Sequence, residues 1–201
     1  MDIKLYYHQA TRAFRIRWLL EELGLNYTLK QINLFNGECN TEQYKAIHPL
    51  GYLPAVEIDG RAMFESGAIC LWLSDQFPEQ QLAPDFSSPL RMEYTQWMFF
   101  VPGDVEPPLF YKLLHSKVLP EQARVKQILP WFDDRYNHVL EALELKLASQ
   151  LYLLGEQFST ADIMLGSIIK WEPDLLTPYT VLEEYLQRLA ARPAFNLALK
   201  S

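Results

Sequence analysis

Two residue pairs, Leu53-Pro54 and Glu65-Ser66, bracket a hairpin-like stretch and carry the chemistry that points to a bound ligand. Between them, PAVEI (54–58), Asp59-Gly60 and RAMF (61–64) read as strand, turn and strand. Asp-Gly tolerates the positive φ that a two-residue hairpin turn requires. Proline donates no main-chain hydrogen bond, so Pro54 at the head of a strand has two readings. It marks the strand start, or the Leu53–Pro54 bond is cis. A cis bond would turn the N–H and C=O of Leu53 outward, where an extended, peptide-like ligand pairs with them as an added strand.

The second pair sits ahead of a helix-like run. Ser66 is a good N-cap residue. The residue three positions on is Ile69, so no side chain completes a capping box, and Gly67 and Ala68 add no bulk. The helix start therefore keeps free N–H groups and a partial positive charge, suited to a carboxylate. Glu65 repels a simple anion and attracts an ammonium group. A capped helix beside a solvated glutamate is the plain reading. A ligand with an α-amino-acid head suits Glu65, Ser66 and the helix start together. With a backbone-paired middle as well, that ligand has the chemistry of glutathione.

The elements that must position these pairs follow from periodicity. IKLYY (3–7) is a short apolar and aromatic strand. From about Arg12 the period changes: Ile16, Leu19, Leu20 and Leu23 fall on one helix face, and Gly24 supplies the stop. NYTLKQI (26–32) is a second strand, parallel to the first because a helix crosses between them. A polar, poorly periodic stretch runs to His48. The hairpin adds two antiparallel strands, and a helix runs from Ser66 to about Phe77, closed by Pro78. The result is a mixed sheet of about four strands. Beyond it only helical patterns appear, at about 88–101, 108–118, 121–148, 159–171 and 180–191, with Pro102, Pro107, Pro108, Pro120 and Pro130 breaking or kinking them. The division expected is an α/β domain over 1–78, a linker at 79–87 and an all-α domain over 88–201.

Composition bounds the function class. The chain has 201 residues, 49 % hydrophobic and 21 % charged, with a formal net charge of -7. That is ordinary for a globular protein with a core, and no Lys/Arg cluster marks a nucleic-acid face. No signal peptide and no membrane-spanning run is visible, so no membrane association is expected. Cys39 and Cys70 form no C-x-x-C, which argues against a disulfide scaffold, a metal site and a thioredoxin-type redox pair. A reducing, cytoplasmic setting is the default.

With these stretches in place the sequence resembles the glutathione S-transferase family. The likeness rests on TRAFRIRWLLEELGLNY (11–27), HPLGYLPAVEIDG (48–60), FESGAICLWLSDQF (64–77), FSTADIMLG (158–166) and YLQRLAARPAF (185–195), in the family's order over nearly the whole chain. The first stretch is similar to bacterial and fungal members with a Ser-Arg or Thr-Arg pair at the head of helix 1. The resemblance implies a thioredoxin-like N-terminal domain (β-α-β-α-β-β-α), an all-α C-terminal helical bundle and a homodimer. It further implies a cis Leu53–Pro54 bond, Leu53 pairing with the cysteinyl part of glutathione, and Glu65 and Ser66 holding the γ-glutamyl end.

The implied chemistry is activation of the glutathione thiol as co-substrate, without a metal. It serves conjugation to a small hydrophobic electrophile, or peroxide or disulfide reduction. The alternative is a non-catalytic binding or regulatory protein on the same fold. Lowering a thiol pKa by two units takes about 2.7 kcal/mol, within reach of one or two hydrogen bonds to the anion. Candidates are Thr11, then Arg12 as an electrostatic partner, then Tyr7. Thr11 also reads as an N-cap, Tyr7 as core beside Ile3 and Leu5, and His8 as a surface histidine. Where the family uses other polar groups for the glycyl end, this chain has Tyr52 and, in GECNTEQ, Cys39 and Asn40, so Asn40 and the Tyr52 hydroxyl are the substitutes. Cys39 reads as an incidental loop thiol and Cys70 as core. The aromatic- and proline-rich WMFFVPGDVEPPLFY (97–111) reads as an electrophile pocket or as core and dimer contact. Ser159 and Asp162 form an S-x-x-D capping arrangement, a folding element rather than a hydrolase pair.

Overall fold

Near-continuous burial along Ile3–Tyr7 suits this strand, β1, to an inner place in the sheet. The computed structural model describes residues 1–9 and 11–200. Among the described residues the sheet has four strands in the order β2-β1-β3-β4, with β2 at Thr28–Gln31, β3 at Ala55–Ile58 and β4 at Arg61–Phe64. β1 and β2 run parallel, connected through helix α1 (Ala13–Glu22). β1 and β3, and β3 and β4, run antiparallel. β2 is exposed along its length, as suits an edge. Helix α3 (Ser66–Gln76) follows β4. The thioredoxin-like plan of the first half is thus present.

The polar stretch that sequence left without periodicity holds a 3₁₀ turn, Glu38–Asn40, and one helical turn, α2 (Glu42–Lys45), capped by the Thr41 hydroxyl. It is too short for a hydrophobic period to show. Gly51 next to it has φ 66°, and a Cβ there would lie 2.3 Å from the Cys39 carbonyl oxygen, so only glycine fits. Cys39 itself is buried in a small apolar cluster with Tyr6, Ile32, Tyr44, Leu53 and Ala55. That corrects its reading as an incidental loop thiol. Cys70 is fully buried, and burial pushes its thiol up to about 12.

The remaining chain is helical: α4 (Leu90–Phe100), α5 (Glu106–Leu113), α6 (Leu129–Leu147), α7 (Thr160–Ile169), α8 (Thr180–Ala190) and α9 (Pro193–Leu199). Two expectations need correction. Of the break or kink expected at Pro102, Pro107 and Pro108, the break is absent: the helix continues from 101 to 108. A π-helical turn, Val101–Val105, joins α4 to α5, and Pro107 and Pro108 fall in the first turn of α5, where donors are not needed. The helix expected from 121 begins only at Leu129, with Pro130 in its first turn, while 121–123 and 126–128 form 3₁₀ turns.

The chain divides into two compact units, Met1–Asp85 with Leu189–Ser201, and Phe86–Arg188. The sequence division kept 88–201 together; the contacts instead assign the last segment to the first unit. There α9 packs on α1, with the Phe195 ring 5.3 Å from Phe14 and 4.9 Å from Trp18. Arg192 grips Glu22 through two bonds of 2.6 and 2.8 Å. In the second unit, Asp162 is fully buried at the start of α7. Its carboxylate accepts from the Ser159 N–H and hydroxyl, the Leu153 N–H and the Tyr185 hydroxyl, at 2.8 to 3.0 Å. The capping box expected from Ser159 and Asp162 is therefore present, as a folding element. Among the described residues, no helix is long and apolar enough to cross a membrane.

Candidate functional site

The hairpin register brings the two bracketing pairs together. Ala55 pairs with Phe64, so the Leu53-Pro54 and Glu65-Ser66 pairs flank the same end of the hairpin. Tyr6 of β1 pairs with Ala55 on the other side, so the turn leaving β1 emerges at the same end of the sheet. The Leu53–Pro54 bond is cis. Among the described residues, neither the N–H nor the C=O of Leu53 has a hydrogen-bond partner, although its side chain is buried. This is an unpaired main-chain segment beside β3, open to an added strand.

At the other pair the structure shifts one expectation. Ser66 is the first residue of α3, and Glu65 is the residue before it. Glu65 has φ 68° and ψ 104°, a region that costs a non-glycine residue about 1–3 kcal/mol and that clusters at ligand clamps. The N–H groups of Ser66, Gly67 and Ala68 have no acceptor among the described residues, whereas the Ile69 N–H bonds to the Glu65 carbonyl at 2.9 Å. The helix start is thus a bare set of donors with positive dipole character. Glu65 is exposed beside it.

The thiolate candidates occupy different settings. The Thr11 hydroxyl donates to the His8 carbonyl at 2.7 Å and accepts from the Ala13 N–H at 3.3 Å, closing the turn into α1. Arg12 is half-buried at the head of α1. Tyr7 is buried, with the Arg17 guanidinium 5.6 Å from its ring centroid. Its neighbour Tyr6 faces the opposite side of the sheet, where its hydroxyl donates to Glu57 and burial, followed by that carboxylate, raises its pKa. His8 is half-buried and its Nδ1 lies 2.7 Å from the Gln9 carbonyl. Asn40 is exposed at the end of its 3₁₀ turn, and Tyr52 is exposed next to Leu53.

Three residues that sequence reasoning passed over support these pairs. Tyr44 donates to the Tyr52 carbonyl at 2.7 Å, fixing the chain just before Leu53. His48 is buried between the rings of Phe64 (4.9 Å) and Tyr52 (5.7 Å), and its Nδ1 accepts from the Leu50 N–H at 3.2 Å. Burial lowers its pKa, while the Glu65 charge acts in the other direction. Arg15 is 1 % exposed, and its Nη1 donates to the Ser66 hydroxyl oxygen at 3.1 Å. The signal for Arg15 was a cation four residues before Leu19, on the apolar face of α1.

Comparison with known proteins gives the family of the chain. The model of the glutathione S-transferase N-terminal domain matches residues 1–75, and that of the C-terminal domain matches residues 108–193. Glutathione S-transferase GstA of Escherichia coli O157:H7 is 26 % identical over 207 residues, covering 99 % of this chain and 98 % of its own. The solved ternary complex of BphK, a bacterial GST, is 29 % identical with a TM-score of 0.88, covering 98 % of this chain and 97 % of its own. A glutathione transferase from Burkholderia graminis, solved with two glutathione molecules per subunit, is 25 % identical with a TM-score of 0.90, covering 100 % of this chain and 88 % of its own. With both family domains matched in order over most of its length, the chain belongs to the glutathione S-transferase family.

Proposed function

We propose that this protein binds glutathione at the end of the β3–β4 hairpin and activates its thiol. The reaction is conjugation to a small hydrophobic electrophile, or reduction of a peroxide or disulfide. One observation carries the reading: an unpaired Leu53 main chain and, among the described residues, three unpaired N–H groups at the start of α3 flank the same end of the β3–β4 hairpin, with Glu65 exposed beside the helix start. An extended tripeptide with an amino-acid head satisfies all of these groups at once. Leu53 pairs with the cysteinyl unit, the α3 start and Ser66 take the γ-glutamyl carboxylate, and Glu65 takes the ammonium. Asn40 and Tyr52 meet the glycyl end. The glutathione bound in the Burkholderia graminis relative supports the ligand class.

For the thiolate, Thr11 is the first candidate donor, reached by rotating its O–H away from the His8 carbonyl, with Arg12 adding positive charge and Tyr7 the third candidate. We place the protein in the cytoplasm as a homodimer. A second reading, a glutathione-binding protein without appreciable turnover, is favoured by the Thr11 hydroxyl already being engaged in its turn. Assays of glutathione with aryl halides, peroxides and mixed disulfides separate the two. Turnover that drops at least tenfold in Thr11→Val supports the catalytic reading. Saturable glutathione binding with no turnover on any of the three classes supports the second.

A further inference from the structure

We propose that Arg15 is a positioning residue that makes Ser66 a dedicated donor to the γ-glutamyl carboxylate, and so sets the preference for a ligand ionised at that end. The inference rests on the glutathione reading above and deepens it. A guanidinium has donors and no acceptor. Its Nη1–H occupies a lone pair of the Ser66 oxygen at 3.1 Å, so the Ser66 proton cannot be given back to Arg15. Ser66 is 6 % exposed, and among the described residues its hydroxyl proton has no acceptor. A buried hydroxyl with a proton to give and its oxygen already engaged is poised for an incoming acceptor. The bare N–H groups of Ser66, Gly67 and Ala68 belong to the same helix start.

Charge reinforces the direction of the bond. Arg15 is 1 % exposed, and a buried cation is retained at a cost. A hydrogen bond from a cation polarises the serine O–H and strengthens the bond that O–H then makes to an anion. A neutral amide at the ligand's α-carboxyl position gains much less from this relay than a carboxylate does.

The test is calorimetric binding of two ligands: glutathione, and an analogue in which the γ-glutamyl α-carboxylate is replaced by a carboxamide. The unaltered protein is expected to prefer glutathione by about tenfold or more, the scale of one charge-assisted hydrogen bond. Arg15→Gln keeps a donor at the position and removes the charge, and the preference should fall to under about threefold; Arg15→Lys should restore most of it. An unchanged preference in folded Arg15→Gln overturns the role. Should Arg15→Gln fail to fold, Ser66→Ala decides: the preference again falls to under about threefold, or, if it holds, the relay is refuted. Absence of glutathione binding by the unaltered protein is a separate outcome. It overturns the glutathione reading itself, and the role of Arg15 with it.

Discussion

In the proposed reading the side chains of the site divide into those that would meet the ligand, Glu65 among them, and those that hold the first group in place. Glu65 is exposed, held at positive φ, and one position before the bare start of α3. Glu65→Ala removes the ammonium partner and relieves the backbone only slightly, so glutathione affinity should fall about tenfold while the thermal midpoint changes little. Calorimetric titration alongside a melting curve checks both halves. At these pairs, the cis Leu53–Pro54 bond was one of two readings the residues left open, and the helix start at Ser66 was legible from the period change after Phe64. Arg15 was not. One cation within an apolar stripe looks like a solvated edge residue, and only the fold shows that α1 turns it inward onto Ser66.

At the scale of elements, two short segments bear most on the geometry. The turn His48–Gly51 leads directly into Leu53-Pro54, and His48 closes it by accepting from the Leu50 N–H. Burial holds the His48 pKa below its unfolded value. The unfolded chain then takes up the proton more readily, so stability is intact above about pH 6.5 and declines as pH falls below it. The thermal midpoint should drop between pH 7 and pH 5.5 in the unaltered protein and drop less in His48→Asn, whose side chain keeps an acceptor for Leu50. A midpoint that rises on acidification contradicts the assignment. In the helical unit, the buried Asp162 carboxylate gathers four donors. Asp162→Ala strands them, at about 3–5 kcal/mol, and should lower the midpoint by roughly 10 °C. The S-x-x-D spacing announced this cap in sequence, whereas the Leu153 and Tyr185 donors come from 9 and 23 residues away and left no local trace. The prolines at 102, 107 and 108 misled for a related reason: a widened turn accommodates a missing donor that a regular helix cannot.

The whole chain folds as two compact units, and the first is not contiguous in sequence. Its α9 segment arrives from the far end and covers Phe14 and Trp18 of α1 with Phe195. Hydrophobic period alone cannot report which distant helix a segment joins, so that placement was not legible from the chain. Phe195→Ala should cost about 3–4 kcal/mol in urea unfolding, a loss felt by the unit that carries the candidate site even though residue 195 is remote from it in sequence. A cost under about 1 kcal/mol would show that α9 is dispensable there. The family-level plan was legible because five separate stretches agreed with it in order.

The account's central claim is that one tripeptide thiol joins the open main chain at Leu53 to the bare start of α3. A crystal structure of the protein soaked with glutathione tests it most directly. The account predicts the cysteinyl N–H and C=O paired with Leu53, the γ-glutamyl carboxylate at the Ser66 N–H and hydroxyl, and its ammonium at Glu65. Glutathione bound elsewhere on the chain, with Leu53 and the α3 donors still unpaired, would contradict it.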